Sequence, residues 1–598
     1  MSQIRASVAV VAFGLALMPA VSVAQTTWYV DDDNCPGPGT GSQSNPFCKI
    51  QDGIDAASNG DTILVLPGTY VELIDFKGKP ITVRADQGPD VTVIDGNQAG
   101  SVVTFAGGEG PASVLEAFTI TNGSGTLLPE TGFCGGGIYC RQSSPTITRN
   151  IVRANSVTGA GGAIMCRVQA CPTITSNTIS NNSAHWGGGI GCDESYPTIS
   201  YNTIESNSSH HDGGGVTCKR CDDPTRRVVI THNEILRNTE SGINCGLSSA
   251  RILNNRICWN NSPASGGGIN LECRPEDEVE IARNLLSYNV TDHCGGAINC
   301  GGTSTTIMGN VIWGNTAALA GGGISGMQAA SIVAASNTLA ENTGPLGGGI
   351  AVMDSSQAVV SNTIVWRNHG DVGSAVYVGR VVETVPASAT VALSYSDVIR
   401  AETYEDDGCS LDWGLGMIET DPLFLGPDLS GVSRISGGGY WPGFRLAPGS
   451  ACIDQGDPTS DPCCDMDLCD NPRVLDGDLE RQRQIDMGAY EFNNVHLDVS
   501  GNATPGGTLT FTTTGTSGMA VFMFVATAPG AACHPLFGCL FIDLSKLWWL
   551  FDWLPIPSPP VVVSIPAGAP APFDLIFQEL ALAGSAGNMS NPAELTIE

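Results

Sequence analysis

Three histidines have side chains suited to proton transfer. Each lies five residues before the aliphatic residue that ends a glycine-rich sequence motif. They are His185, His211 and His293; Asp212 directly follows the second, and Asp292 directly precedes the third. Imidazole and carboxylate groups held together can act as acid and base near neutral pH, or can bind a metal ion. The alternative is that they are solvated corner residues without a chemical role. We predict these five residues as candidate catalytic residues.

A second group is the densest set of carboxylates in the chain, Asp465, Asp467 and Asp470, which lies in an acidic loop with Cys463, Cys464 and Cys469. Alternating carboxylates on a loop suit Ca²⁺, which takes about six to eight oxygen ligands. The glycine and the closing glutamate of an EF-hand are missing. We predict the three aspartates as candidate metal ligands, with Ca²⁺ as the one expected cofactor. The alternative is an acidic loop that is simply solvated.

The elements that position the histidines belong to a repeat with neighbours about 26 residues apart, and a fixed period of that size predicts a solenoid. Each repeat has a glycine run, then an aliphatic residue, and in most repeats a cysteine two residues later. The aliphatic residues are Ile138, Ile164, Ile190, Val216, Ile243, Ile269, Ile298, Ile324 and Ile350. Two asparagines follow in each repeat, from Asn150/Asn155 to Asn337/Asn342, and then Asn362/Asn368 with one extra residue.

Short alternating patterns such as Pro145-Thr146-Ile147 give each repeat about three strands separated by Gly or Asn corners. Strands this short need parallel neighbours above and below them, about 4.8 Å away. We therefore predict an all-β fold, a parallel β-helix with aliphatic and cysteine ladders inside and asparagine ladders at two corners. The cysteines could bind metal, but the expected secreted setting favours disulfides or buried thiols.

These repeats resemble the right-handed parallel β-helix superfamily, which includes pectate lyases, polysaccharide epimerases and non-enzymatic surface proteins. Gly-Gly-Ala-Ile at 161–164 and 295–298 is also similar to the repeats of polymorphic outer-membrane proteins. The stretch from Leu446 to Asp457, with 485–492, is similar to the closing "choice-of-anchor" segment of secreted bacterial β-helices. The right-handed sense of the helix comes from this resemblance and from the right-handed crossover rule.

Composition and sequence order suggest five parts. An apolar run ending in Ser22-Val23-Ala24 predicts a signal peptide at 1–24, so the protein is expected to be secreted or at the cell surface. We predict an N-terminal helical cap at 25–60, in which Asn45-Pro46 starts a short helix and Cys35 pairs with Cys48. The β-helix spans 61–400. A closing acidic, Cys-rich segment spans 401–494, and a β-sandwich-like domain spans 495–598. No membrane span is expected in the mature chain.

The formal charge of −32 argues against nucleic acid as a partner, because that binding depends on Lys and Arg neutralising phosphates. No pectate-lyase or galacturonase signature is found, so an enzymatic function is the less favoured hypothesis. The main hypothesis is a binding protein for polysaccharide or cell-surface components, or an adhesive or structural module. The alternative is a polysaccharide lyase, epimerase or glycoside hydrolase. Trp259 and Tyr288, at the same place in successive repeats, could bind sugar rings or pack a corner.

Overall fold

Short strands build a tube of three parallel sheets in the computed structural model of this chain. The structure describes residues 25–223, 225–381, 388–426, 442–458, 467–468 and 484–492, and beyond these only the backbone of strands between 495 and 597. Within each coil the chain passes through sheet 3, then sheet 1, then sheet 2, before it rises to the next coil. The predicted all-β fold, a right-handed parallel β-helix, is confirmed.

Sheet 1 contains 15 strands: Thr27–Val30, Thr62–Val65, Thr82–Ala85, Val114–Glu116, Thr146–Thr148, Thr173–Thr175, Thr198–Ser200, Val228–Thr231, Ala250–Leu253, Glu278–Ala282, Ser304–Met308, Ser331–Ala335, Gln357–Ser361, Thr390–Ser394 and Ser410–Trp413. Sheet 2 contains 13 strands: Gly68–Val71, Thr92–Asp95, Thr119–Thr121, Ile151–Arg153, Thr178–Ser180, Thr203–Glu205, Glu234–Leu236, Arg256–Cys258, Leu285–Ser287, Val311–Trp313, Thr338–Ala340, Ile364–Trp366 and Asp397–Val398.

Sheet 3 also contains 13 strands: Ile74–Asp75, Val103–Phe105, Ile138–Arg141, Ile164–Arg167, Ile190–Asp193, Val216–Lys219, Ile243–Gly246, Ile269–Glu272, Ile298–Gly301, Ile324–Met327, Ile350–Met353, Val376–Gly379 and Thr403–Glu405. Short strands in the loops that lead into sheet 3 pair between coils: Ser183–Ala184 with Ser208–Ser209, and Asn261–Ser262 with Val290–Thr291 and Thr316–Ala317. Thr126–Leu128 and Gly132–Cys134 form an antiparallel hairpin.

The inside of the tube is filled by the predicted ladders. Ile164, Ile190 and Val216 lie opposite one another in register, as do Cys166, Cys192 and Cys218 two residues later. The cysteine side chains of this ladder are buried and are free thiols. Of the alternatives for these cysteines, the structure therefore shows buried thiols. Burying aliphatic side chains stabilises the tube by about 1.5–3 kcal/mol for each.

Two ladders of asparagine provide hydrogen-bond partners for the backbone groups at the corners on either side of sheet 2. Along each ladder the Nδ2 atom of one asparagine donates to the Oδ1 atom of the next at 2.9–3.2 Å, as in Asn177 to Asn202 and Asn182 to Asn207. The ladder residues are buried, and the predicted structural role is confirmed. Thr363, not Asn362, continues the first ladder, since its hydroxyl accepts from the Asn337 N–H. Thr363 lies five residues before Asn368, so the ladder spacing is kept; Asn362 stands one position earlier, is buried, and its Oδ1 atom accepts a hydrogen bond of 2.7 Å from the Asp457 N–H of the closing segment.

The N-terminal cap covers the first coil with a helix at Ile50–Ala56, and the disulfide Cys35–Cys48 forms as predicted. The predicted helix start at Asn45-Pro46 is wrong. Phe47 is instead bridged to Val30 in extended backbone, and the helix begins at Ile50. The reason is a cap from the next coil, because the Glu72 carboxylate accepts hydrogen bonds from the N–H groups of Ile50 and Gln51. Short 3₁₀ turns occupy Asp32–Asn34, Arg400–Glu402 and Pro442–Phe444.

The first part of the predicted closing segment continues the tube, since Thr403–Glu405 and Ser410–Trp413 belong to sheets 3 and 1. The described residues from 442 to 492 fold back along the outer face of sheet 2. Phe444, Leu468 and Tyr490 pack with Leu285 and Val311, which point outwards from that sheet. A hydrogen bond of 3.0 Å from the Ala489 N–H to the Thr338 hydroxyl fixes the contact. The C-terminal coils therefore have a second layer on sheet 2.

Beyond residue 494 the described strands pair antiparallel. They are Val495–Gly501, Thr508–Gly515, Ala520–Ala526, Pro529–His534, Gly538–Ile542, Leu547–Pro555, Val561–Ser564, Phe573–Ala583, Ala586–Met589 and Ala593–Ile597. Among the residues that the structure describes, no helix has the length and apolar character to cross a membrane. The predicted signal peptide lies outside the described residues.

Candidate functional site

The predicted histidines lie on the loops that lead from the second asparagine ladder into sheet 3. The His211 N–H donates to the carbonyl of His185 at 3.0 Å, which places the two residues on adjacent coils. Their rings lie 4.7 Å apart and meet edge to face, at an angle of 73°. We call the set of His185, Trp186, His211, Asp212 and Lys219 the histidine corner.

The structure separates the other predicted pair from this corner. Asp292 and His293 are exposed on the loop that leads into Ile298–Gly301, three strands further along sheet 3 than Val216–Lys219. Three steps of about 4.8 Å put them roughly 14 Å away. The prediction that all five residues form one site is therefore wrong for Asp292 and His293. His185, His211 and Asp212 are the three that lie together.

A lysine that the sequence reasoning missed completes the corner. The Lys219 Nζ atom lies 2.5 Å from Oδ2 of Asp212 and 4.2 Å from the centre of the Trp186 ring. Burial, and then the positive charges of His211, His210 and Lys219, lower the pKa of His185. His185 is thus a neutral imidazole near pH 7 and can accept a proton.

A buried ion cluster adjoins the corner on the outer face of sheet 3. Asp193 lies in register with Lys219 and with Arg167, and it is 7% exposed. Its carboxylate accepts from Nη2 of Arg220 at 2.6 and 2.8 Å and from Nε of Arg167 at 3.1 Å. The available sequence signal was the position after each ladder cysteine, which reads Arg, Arg, Asp and Lys in four successive coils. The cluster holds that face of the sheet rigid beside the histidines.

Trp259 and Tyr288 form a second surface, at the corner where the chain leaves sheet 2. Their rings are 6.1 Å apart, with 8° between the planes, and remain 39% and 38% exposed. The guanidinium groups of Arg237 and Arg256 each lie 5.0 Å from the centre of the Trp259 ring. Buried Trp313 supports Tyr288 from the side, edge to face at 4.6 Å. Exposed rings with cations beside them suit a sugar ligand.

The predicted calcium ligands are described only in part. Asp465 and Asp470 lie outside the described residues. Asp467 is fully buried, and its Oδ2 atom accepts a hydrogen bond of 2.9 Å from the Glu491 N–H. Within the described part of the chain, no three His, Cys, Asp or Glu side chains converge on a position for a metal ion, the histidine corner included. The calcium site stays a prediction.

Comparison with known proteins identifies the architecture. Residues 91–257 match the family described as a right handed beta helix region. No curated protein sequence matches the chain. Among solved structures it is similar to pectate lyase Pel9A, with 16% identity over 78% of this chain and 97% of that one and a TM-score of 0.37.

It is also similar to XylC in complex with xylose, with 14% identity over 67% and 88% of the two chains and a TM-score of 0.36. The GH136 lacto-N-biosidase from Eubacterium ramulus is a further such structure, with 10% identity over 66% and 68% and a TM-score of 0.25. These likenesses carry no argument about activity. The family match over 91–257 and the parallel sheets that the described residues form between Thr27 and Trp413 identify the fold as a right-handed parallel β-helix.

Proposed function

We propose that this chain is a secreted or cell-surface protein that binds polysaccharide through the exposed rings of Trp259 and Tyr288. The observation that carries the proposal is the backbone conformation of these two residues. Both have a positive φ, 57° for Trp259 and 54° for Tyr288. That region costs an L-residue roughly 1–2 kcal/mol, and a bulky residue rarely occupies it.

The fold requires this backbone conformation at the corner, but it does not require aromatic side chains there. Every residue at this position in nine successive coils has a positive φ: Ala154, Asn181, Ser206, Arg237, Trp259, Tyr288, Gly314, Glu341 and Arg367. Small or polar residues occupy most of them. Backbone preference does not account for Trp259 and Tyr288, and more than a third of each side chain stays exposed despite the ring contacts, which favours a ligand-binding role.

The surroundings of the two rings suit a ligand that is long and rigid. Trp313 contacts Tyr288 and is itself packed against Phe444 of the closing segment, with ring centres 5.8 Å apart. The rings are therefore held in place before a ligand binds, which lowers the entropic cost of binding. Successive coils present them along the axis of the tube, the direction in which a polysaccharide would run.

The charge of the protein narrows the class of polysaccharide. A formal charge of −32 repels a polyuronate unless Ca²⁺ bridges the two, so neutral glycans are the favoured ligands. Secretion is proposed from the apolar run that ends at Ala24. Ca²⁺ binding at Asp465, Asp467 and Asp470 is retained as part of the proposal, and it would extend the ligands to acidic glycans.

The test is retention of the mature chain on a panel of immobilised neutral and acidic polysaccharides, with Ca²⁺ and with a chelator. We expect retention on one or more neutral glycans in both conditions. Retention on acidic glycans only when Ca²⁺ is present would support the calcium site. If no glycan retains the protein, polysaccharide binding is wrong, and an adhesive or structural module takes its place.

A second candidate function is polysaccharide cleavage or epimerisation at the histidine corner. The observation that favours it is the neutral His185 imidazole beside the ion pair of Asp212 and Lys219. A proton acceptor next to fixed charges is an arrangement that acid–base catalysis uses. An activity that is unchanged in the His185→Ala and His211→Ala variants would remove this assignment.

A further inference from the structure

Gly314 is the one glycine among the nine corner residues with positive φ from Ala154 to Arg367, which we call the corner row. Its φ of 62° does not explain the glycine, because the other eight residues of the row adopt the same conformation with a side chain. A Cβ atom at residue 314 would lie 3.0 Å from Cε1 and 3.2 Å from Cδ1 of Tyr288. Carbon atoms pack best at about 3.5–4.0 Å, so any side chain at this position would displace the Tyr288 ring.

The Tyr288 ring therefore lies on bare backbone of the next coil. The Tyr288 N–H donates to the carbonyl of Trp313 at 3.2 Å, which places residues 288 and 314 side by side. The edge-to-face contact with Trp313 at 4.6 Å holds the ring from one flank. Because residue 314 has no side chain, an aromatic ring can take this place while more than a third of Tyr288 stays exposed.

Arg237 precedes Trp259 in the corner row, and its side chain is exposed. The Arg237 N–H donates to the carbonyl of Cys258 at 3.1 Å, and its guanidinium group lies 5.0 Å from the centre of the Trp259 ring. The second guanidinium group beside that ring, from Arg256, is ion-paired with Glu234 at 3.5 Å. Arg237 has no ion pair among the residues that the structure describes, so its N–H donors are available to a ligand.

Glu341 follows Gly314 in the corner row, since the Gly314 N–H donates to the carbonyl of Ala340 at 3.1 Å. The carboxyl group is exposed, and its Oε2 atom accepts a hydrogen bond of 3.4 Å from Nε1 of Trp313. Within the described part of the chain it has no ion pair. Four coil steps of about 4.8 Å separate Arg237 from Glu341, roughly 19 Å in all. Hydrogen-bond donors, two rings and an acceptor therefore follow one another along the tube axis.

We propose that the corner row from Arg237 to Glu341 is one binding site, whose ligand is a linear neutral glycan with about one sugar ring for each coil step. Gly314 is a positioning residue, which keeps the Tyr288 ring in place. Sugar hydroxyls can accept from the Arg237 guanidinium group and donate to the Glu341 carboxyl group, so both ends of the row suit a ligand without charge. This inference rests on the proposed binding of polysaccharide, and it adds the length of the ligand and three residues to it.

The first test measures the affinity of the full mature chain for xylo-, manno- and cello-oligosaccharides of two to six rings, by titration of tryptophan fluorescence. In the series that binds, we expect affinity to rise by at least about 5-fold between two and four rings and to level off beyond the length of the row. Arg237→Ser and Glu341→Ser should remove this gain and leave two-ring ligands unchanged. Serine is the row's own residue at position 206, so both variants should fold. An affinity that does not depend on ligand length contradicts the extended site.

The second test asks whether Gly314 acts through Tyr288. Gly314→Asn should weaken the binding of four-ring ligands by at least about 5-fold. Ala154→Asn is the matched control at the same corner and should have no effect, because asparagine tolerates a positive φ. In the Tyr288→Asn background, Gly314→Asn should cause no further loss, since no ring is left to displace. A further loss there, or equal affinity in Gly314→Asn and Ala154→Asn, overturns the positioning role.

Failure of this inference is distinguishable from failure of the proposed function. If polysaccharide retains the wild type and Trp259→Asn weakens binding, but the variants of Arg237, Gly314 and Glu341 do not, the extended site is wrong and polysaccharide binding stands. Retention on polysaccharide without affinity for any of the three oligosaccharide series contradicts the linear neutral ligand. If no glycan retains the wild type, both the inference and the proposed function are wrong.

Discussion

The Cys452 thiol donates a hydrogen bond of 3.4 Å to Oδ2 of Asp397, which ties the closing segment to the last coils of the tube. Both residues are fully buried. Oδ1 of Asp397 accepts from the Thr420 N–H at 3.0 Å. The closing segment is thus part of the folded solenoid, and the carboxyl group at its centre should make the stability of this region depend on pH.

Burial raises the pKa of Asp397 to about 6, against an ordinary value of 3.8. The folded state therefore binds this proton more tightly than the unfolded chain does. The resulting stabilisation is complete below about pH 4 and is lost as the pH rises through 6. We predict that Asp397→Asn raises the melting temperature at pH 7, by the equivalent of about 2–3 kcal/mol, and does not raise it at pH 4. The exposed Asp407→Asn variant is the control, and an equal gain at both pH values would contradict the assignment.

The asparagine ladder should be intolerant of substitution. Oδ1 of Asn202 accepts from the N–H and Nδ2 of Asn177, and its own Nδ2 donates to the carbonyl of Ile174. Asn202→Ala leaves these buried groups without partners, at about 1–3 kcal/mol for each. We predict a loss of at least about 2 kcal/mol in the free energy of unfolding, and a larger loss for Asn202→Asp at pH 7. Thr198→Ala, on the exposed face of the same coil, should change it by less than about 0.5 kcal/mol.

The thiols inside the tube should be unreactive. Burial raises the pKa of Cys221 and of Cys300 to about 12, whereas Cys171 is half-exposed. Since the thiolate is the reactive form, iodoacetamide at pH 8 should label Cys171 and leave Cys221 and Cys300 unmodified in the native protein. Peptide mapping by mass spectrometry measures this. A disulfide between ladder cysteines such as Cys192 and Cys218 would contradict the structure.

The N-terminal cap should depend on one carboxylate. Glu72 accepts hydrogen bonds of 2.8 Å from Ile50 N–H and 3.1 Å from Gln51 N–H, where Lys49 gives no side-chain cap. We predict that Glu72→Ala destabilises the cap by about 0.5–2 kcal/mol, and that Glu72→Gln, which keeps an acceptor oxygen, costs less. Hydrogen exchange of the helix amides measures the effect. Equal exchange in both variants and wild type would show that the cap has no role.

The sequence predicts the parts of this fold that repeat and misses the parts that occur once. The register of Ile164 with Ile190 follows from the spacing, because each coil must bury the same positions. The return of the closing segment does not, since no period connects Tyr490 to sheet 2. One sequence signal did indicate this contact. The outward-facing residues of sheet 2 change from Thr178 and Thr203 to Leu285 and Val311, and these apolar side chains must be buried by another segment.

The candidate site was predicted in the same way: the features that repeat were predicted and the features that occur once were missed. The contact between His185 and His211 follows from their equal position in adjacent coils. Asp292 and His293 hold the same position in a coil three steps further along, and equal position alone does not show that distance. Lys219 was missed because it comes from the strand that follows the loop, a position that spacing alone does not connect with the histidines.

The measurement that tests the central claim most directly is the glycan affinity of Trp259→Asn and Tyr288→Asn, compared with Tyr201→Asn. Tyr201 is the matched control, since it is also exposed, has a positive φ of 56° and stacks on His232 at 4.9 Å, but at the other asparagine corner. Asparagine tolerates this conformation, so all three variants should fold. We predict that Trp259→Asn and Tyr288→Asn each lose more than about 1 kcal/mol of binding, or at least about 5-fold in affinity, with Tyr201→Asn unchanged. Unchanged affinity in the first two variants would contradict the account.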